Sequence, residues 1–246
     1  MENETDLTVK ECKTRMRRAA IARRKTVGEA ERTEAGKKLM NQVQKLVSHG
    51  KHATDAFPSD TNTEANAANG DRCNVSLSVG ASVAAYVSMG TEVPTLPLLE
   101  WLLSQELRVL VPRLGRGRDI GWSEYSGENG LQEMPRNAAG GLRPKEPYGK
   151  VLGAQAIEEA TIVFIPAFAI DLDGLRLGRG GGWYDQVLGF CRPDALKIGV
   201  CWDWEFIDQY GAVPRESHDI PVDAVVTDKR IIGISKKNLA INGSAN

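Results

Sequence analysis

Ala160-Thr-Ile-Val-Phe-Ile-Pro-Ala-Phe-Ala-Ile170 is the longest apolar run in the chain, eleven residues with Pro166 inside it. It falls far short of the ~20 residues that a bilayer crossing needs. Its β-branched half, Thr161 to Ile165, reads as a buried strand. An Asp171-Leu-Asp-Gly174 turn, a glycine block, a helical stretch from Tyr184 to Phe190 and a second strand from Lys197 to Val200 follow. The same alternation extends in both directions. Val83 to Val87, a helix over Leu98 to Glu106, and Arg108 to Val111 lie before it, with an uncertain turn or two at Ala154 to Glu159; Ala224 to Thr227 lies beyond. Strands alternating with helices predict βαβ units, so the expected fold is α/β, a mostly parallel sheet flanked by helices on both faces.

Val9, Cys12, Met16, Ala19 and Ala20 recur at helical spacing and predict an N-terminal helix to about Lys25. Thr26 with Glu29 reads as a capping box opening a second helix to about Val47. Residues 48–78 are dominated by Ser, Thr, Asn, Asp, Ala and Gly, with Phe57, Val75 and Leu77 as the only large apolar side chains. Burial cannot repay the ordering entropy of such a segment, so it reads as an exposed insertion in a single domain spanning 1–246, with a flexible C-terminal tail. Gly115 to Gly149, rich in Gly, Pro and charge, reads as a long loop or ribbon with one strand at Ile120 to Tyr125.

The 246 residues carry 31 Lys+Arg against 32 Asp+Glu, a balance that argues against a polyanion-binding protein as a whole. The acidic start, with Glu2, Glu4, Asp6 and Glu11, lacks an apolar leader, and the expectation is a cytoplasmic protein without membrane or nucleic-acid partners. Cys12, Cys73, Cys191 and Cys201 form no Cys-x-x-Cys pair and read as reduced thiols. Only three histidines exist; His49 and His52 fall in the polar segment, leaving His218 as the one candidate for imidazole chemistry. That scarcity removes most Ser-His-Asp, Cys-His and His-metal mechanisms.

Four features could carry chemistry. Leu177-Gly-Arg-Gly-Gly-Gly-Trp-Tyr-Asp185 opens onto a helix, and unshielded backbone N–H groups at Gly178, Gly180, Gly181 and Gly182 suit phosphate oxygens. It matches neither the Walker loop nor the dinucleotide fingerprint, and a tight glycine turn is the alternative. Lys13, Arg17 and Arg24 lie within ~40° of one another on one helix face, a stripe that could clamp a polyphosphate or remain a solvated or nucleic-acid-binding face. Asp185 and Asp219 are carboxylates beside the glycine loop and in the Pro214 to Asp223 stretch, suited to Mg²⁺, or else helix and turn residues. Tyr86 to Glu92 runs from a strand into a carboxylate at its C-terminal end, where ligands collect in open α/β sheets, unless Glu92 caps the next helix.

Lys13-x-x-Met-Arg17, Tyr86 to Glu92, Gly-Arg-Gly-Gly-Gly-Trp-Tyr-Asp185 and Asp219-Ile-Pro-Val-Asp223, in that order, resemble the 5-formyltetrahydrofolate cyclo-ligase family. The resemblance runs from about Lys10 to Thr227, interrupted by the 48–78 segment. It implies a fold akin to the CoA transferase and ribose-5-phosphate isomerase type. It also implies conversion of 5-formyltetrahydrofolate to 5,10-methenyltetrahydrofolate with ATP as co-substrate, Mg²⁺ as cofactor and a monomer or weak homodimer. Residue by residue it places Lys13, Arg17, and Arg176, Leu177, Gly178, Arg179, Gly180, Gly181, Gly182, Trp183 and Tyr184 around ATP. Val87, Glu92 and the Arg179 to Trp183 segment fall against the folate, Asp185 and Asp219 on magnesium, and Arg179, Tyr184 and Asp185 in the chemistry. Trp183 stands where Tyr is usual in the family, and Gly181 where some members have Lys. The rival readings are a sugar-phosphate isomerase or CoA-transferase-like enzyme, and a nucleic-acid-binding protein led by the basic helix.

Overall fold

The structure, a computed structural model, describes residues 8–48, 75–114, 120–136, 140–217 and 219–234. The proposed tail, Cys73 and all three histidines lie outside them, as does 49–74 of the proposed insertion. The elements are α1 (Val9–Lys25), α2 (Glu29–Leu46), β1 (Val47–Ser48), β2 (Val75–Ser76), β3 (Ser82–Ala84), α3 (Leu96–Ser104), β4 (Arg108–Leu114), β5 (Ile120–Glu124), β6 (Leu131–Gln132), β7 (Glu146–Pro147), β8 (Ala160–Pro166), β9 (Ala169–Asp171), β10 (Arg176–Leu177), α4 (Trp183–Val187), β11 (Leu196–Val200), β12 (Phe206–Ile207), β13 (Ala224–Val226) and β14 (Ile231–Gly233).

Seven strands form the main sheet in the order β14-β13-β11-β8-β3-β4-β5. Its five inner strands are parallel, and each edge is closed by an antiparallel strand, β5 on β4 and β14 on β13. The apolar run predicted as a buried strand is β8, at the centre. Its side chains alternate between two cores: Ile162 and Phe164 pack with Leu39, Val43, Leu98 and Leu102 of α2 and α3, while Val163 and Ile165 pack with Ile157, Val187 and Leu188 on the other face. Burial on both faces is why the segment reads as a continuous apolar run rather than an alternation.

Strand order also locates the site. From β3 the chain steps outward to β4, then returns to β8 and steps the other way through β11 to β13. The order therefore reverses between β3 and β8, and the crevice outside their carboxyl ends is where an open α/β sheet takes its ligand. Tyr86 to Glu92 follows β3, and the segment reaching the glycine block follows β8.

Several expectations are corrected. Thr26 does not open α2; it ends α1, its N–H and hydroxyl both donating to Arg23 O, and Gly28 is the α2 N-cap. The capping box sits instead at the start of α1, between Thr8 and Glu11. The ends of the 48–78 segment are not exposed insertion: Val47–Ser48 pairs in parallel with Val75–Ser76, and Leu77 is buried. Of the predicted stripe Val9, Cys12, Met16, Ala19 and Ala20, Met16 and Ala20 do pack inward, but Val9 is 42% exposed, and the buried residues of α1 are Lys13 and Arg24. Among the described residues no helix is long and apolar enough to cross a membrane.

Candidate active site

Residues 13, 16, 17, 20 and 24 lie along one stripe of α1, and that stripe faces the loops at the carboxyl end of the sheet. Met16 and Ala20 supply modest apolar contact with a small core around Phe168, Leu175, Leu177 and Val213. The three cations between them each hold a different loop. Lys13 Nζ donates to Glu216 (2.6 Å) and Asp219 (2.9 Å) in the loop before β13. Burial alone would lower the Lys13 pKa, but the two carboxylates outweigh it and raise it, so the ammonium is charged throughout the neutral range. Arg17 Nε donates to Gly178 O at 2.8 Å, and its guanidinium lies against Gly180, where a Cβ would come within 3.3 Å of it.

Arg24 departs from the polyphosphate-clamp expectation. Its guanidinium grips both Glu205 oxygens (2.6 and 2.7 Å) and Ala167 O, all of it buried. A fully paired, desolvated arginine is a strut. Lys13 and Arg24 are thus buried in ion pairs, and Arg17 is partly buried against the glycine loop.

The glycine block connects β10 to α4. Gly180 (φ 93°) and Gly182 (φ 66°) occupy the left-handed region, which explains why glycine stands at these two positions. Arg179 reaches from this loop across the strand-order reversal to Glu92, with Nη2 at 2.9 Å and Nε at 3.2 Å from one carboxylate oxygen. The other Glu92 oxygen accepts from Met89 N–H at 2.9 Å, so Glu92 is anchored in its own loop rather than capping α3, whose N-cap is Thr95. Glu92 is buried while Arg179 is half exposed. Trp202 Nε1 donates to Thr91 O at 3.1 Å, tying the loop after β11 to the same place. Val87 is half-buried at the edge of the larger core.

Arg176, expected at the nucleotide, is interior: it donates to Asp185 and to Ile220 O. It thereby draws Asp185 next to the residue following Asp219. Asp185 is the third residue of α4, whose N-cap is Gly182, so it is not the helix cap. Asp185 is ion-paired with Arg176 and Asp219 with Lys13; Mg²⁺ ordinarily takes only one or two protein carboxylates and completes its shell with phosphate oxygens and water. No cluster of three or more His, Cys, Asp or Glu side chains suited to an all-protein metal cage occurs among the described residues. Leu177 is buried in the small core, so only its backbone faces the loop.

Trp183 and Tyr184 pack edge to face (4.9 Å between centroids), and Trp183 meets Trp122 of β5 at 5.2 Å. Burial, then the nearby Glu92 charge, drives the Tyr184 phenol pKa far up, so the hydroxyl remains a donor. It is buried without a hydrogen-bond partner among the described residues, as are Nε1 of Trp122 and of Trp183.

The 5-formyltetrahydrofolate cyclo-ligase family profile matches residues 53–228, well over half the chain. The chain belongs to this family. A 5-formyltetrahydrofolate cyclo-ligase of Mycolicibacterium smegmatis is 35% identical over 162 residues, covering 61% of this chain and 75% of that protein. The Escherichia coli cyclo-ligase is 29% identical over 151 residues, 61% and 79% of the two chains. Among solved structures, the methenyltetrahydrofolate synthetase of Aquifex aeolicus superposes with a TM-score of 0.60 at 23% identity over 95% of each chain, and that of Mycoplasma pneumoniae with 0.56 at 15% over 88% and 99%, which bears out the α/β fold. The family match does not reach α1, so the case for Lys13 and Arg17 rests on geometry. Sequence reasoning missed Glu205, Glu216 and Phe168, all of which touch the cations; no local motif marks them.

Proposed function

We propose that this cyclo-ligase family member converts 5-formyltetrahydrofolate to 5,10-methenyltetrahydrofolate with consumption of ATP, at the crevice spanned by Glu92 and Arg179. That ion pair is the observation that carries the assignment to this place. It joins a phosphate-suited glycine loop to the loop after β3, across the point where strand order reverses.

The chemistry matches these side chains. A formamide carbon is a poor electrophile, so the γ-phosphoryl group passes from ATP to the formyl oxygen, leaving ADP; N10 attacks the activated carbon and gives up its proton, and phosphate departs carrying that oxygen. Phosphoryl transfer needs positioning and charge neutralisation more than a covalent catalyst. Arg17 brings a cation beside the glycine loop and holds that loop at Gly178, while Lys13 fixes Glu216 and Asp219 in the loop before β13. Glu92 and Arg179 offer one anion and one cation to the polar groups of a pterin. The buried Tyr184 hydroxyl keeps its proton and can donate to an acceptor oxygen. Asp185 and Asp219 would hold Mg²⁺, which when bound to the nucleotide phosphates neutralises their charge.

Purified protein with 5-formyltetrahydrofolate and Mg-ATP is expected to give the conjugated methenyl product by absorbance, with one ADP per product. Folate-independent ADP release, or no product, would remove the assignment. Product formed without ATP would favour an isomerase-like reaction. Asp185→Asn tests the metal: turnover should drop at limiting Mg²⁺ and recover in part at high Mg²⁺. Because Arg176 then loses its carboxylate, some loss of thermal stability should accompany it. Wild-type turnover at limiting Mg²⁺ would free this position of the metal.

A further inference from the structure

Phe168 is the second residue after β8, 5% exposed, and its ring meets two guanidinium groups: Arg24 Cζ at 4.4 Å and Arg179 Cζ at 5.6 Å from the centroid. These two arginines have opposite circumstances. Arg24 is immobilised by Glu205 and Ala167 O. Arg179 is half exposed, and both of its bonding nitrogens share a single oxygen of Glu92. A contact through one oxygen leaves the guanidinium plane free to swing about that atom, so Glu92 alone does not fix which way the remaining N–H groups point. A ring against the guanidinium supplies the second constraint.

We infer that Phe168 is a positioning residue for Arg179, with Arg24 bracing the ring from the protein interior; this rests on the folate and ATP reading of the crevice. The sequence Glu205, Arg24, Phe168, Arg179, Glu92 is a continuous line of contacts from the core to the crevice. It gives the third cation of the α1 stripe a function without contact with any ligand. Coupling along this line is measured by a double-mutant cycle.

Phe168→Leu keeps apolar volume and removes the ring face; Phe168→Tyr keeps it. In the cyclo-ligase assay Phe168→Leu is expected to lower kcat/KM by about five- to tenfold, and Phe168→Tyr to restore it. In an Arg179→Ala background the same Phe168→Leu change should have no further effect. Equal losses in both backgrounds, or wild-type kcat/KM in folded Phe168→Leu, would overturn the inference. A readout independent of activity is the ¹⁵N-arginine spectrum of the ligand-free protein, in which the Arg179 Nε–H signal should be sharp in wild type and Phe168→Tyr but broadened in Phe168→Leu. An unchanged signal counts against Phe168 even if the enzyme assay fails, whereas an inactive wild type with the expected spectra counts against the function alone. Should Phe168→Leu not fold, Phe168→Met takes its place in both measurements with the same outcomes.

Discussion

Helices α1 and α2 are nearly equal in length, 17 and 18 residues, and are held by opposite means. α2 buries Ala35, Leu39, Val43 and Leu46 against the sheet. α1 buries Lys13 and Arg24, and its apolar contribution is limited to the half-buried Met16 and Ala20. Hydrophobic burial is non-directional and tolerates small shifts. Ion pairs and carbonyl contacts fix a helix only where their partners stand, and the partners of α1 stand in the loops around the crevice. A helix whose inward face is cationic is therefore as much a wall of the site as a layer of the fold.

This contrast can be broken from either side. Arg24→Ala is expected to have the largest effect, about 3–5 kcal/mol by chemical denaturation, because it leaves Glu205 buried without its cation. The double change Arg24→Met with Glu205→Leu should recover most of that loss; no recovery would mean that Arg24 acts through Ala167 O and Phe168 rather than through charge. On α2, Leu39→Ala should cost about 2–5 kcal/mol with a loss that ionic strength does not alter. A salt-dependent loss there would erase the distinction. Arg17→Ala should leave the melting temperature near wild type and weaken nucleotide binding by about 1.5–3 kcal/mol, read as KM for ATP or by direct titration. An unchanged KM in the folded variant would return Arg17 to a structural role. Smallest is Thr8→Ala, which removes the capping box of α1 at a cost of about 1 kcal/mol. Turnover should be unaffected if docking of α1 is set by its inward cations; a large drop in turnover would show that fraying of the first turn reaches Lys13.

Much of the fold was legible because β8 and β13 are buried and announce themselves as β-branched or apolar runs. The three-stranded sheet of β10, β9 and β12 was not, since strands of two or three residues present too few side chains for a period to emerge. Thr26 misled for a local reason: Thr26 and Glu29 have capping-box spacing, but helix α1 already occupies the residues before Thr26, whose hydroxyl turns back to Arg23. Thr8 and Glu11 have the same spacing and do form the box. At the site, Arg179 was visible within the glycine block, Lys13 and Arg17 as part of a cationic helix stripe, and Glu92 as a carboxylate at the end of a strand. Their partners were not: Lys13 meets Glu216 and Asp219, Arg24 meets Glu205, and Glu92 meets Arg179 across separations that only the strand order brings together. The cationic stripe on α1 was read correctly as a face and incorrectly as a uniform one, because helical geometry says which residues share a side but not what stands opposite.

The seam between β3 and β8 has one further consequence. Three residues of β3 pair with β8 there, and the Glu92–Arg179 bridge closes the crevice above. A molecule seated in that crevice touches loops belonging to both halves of the sheet. Its binding energy then adds to cohesion between the halves, by an amount that grows with ligand concentration relative to its dissociation constant. Substrate would thus serve as a reversible staple, and a rise in melting temperature on adding folate or nucleotide would report occupancy before any bond is made or broken.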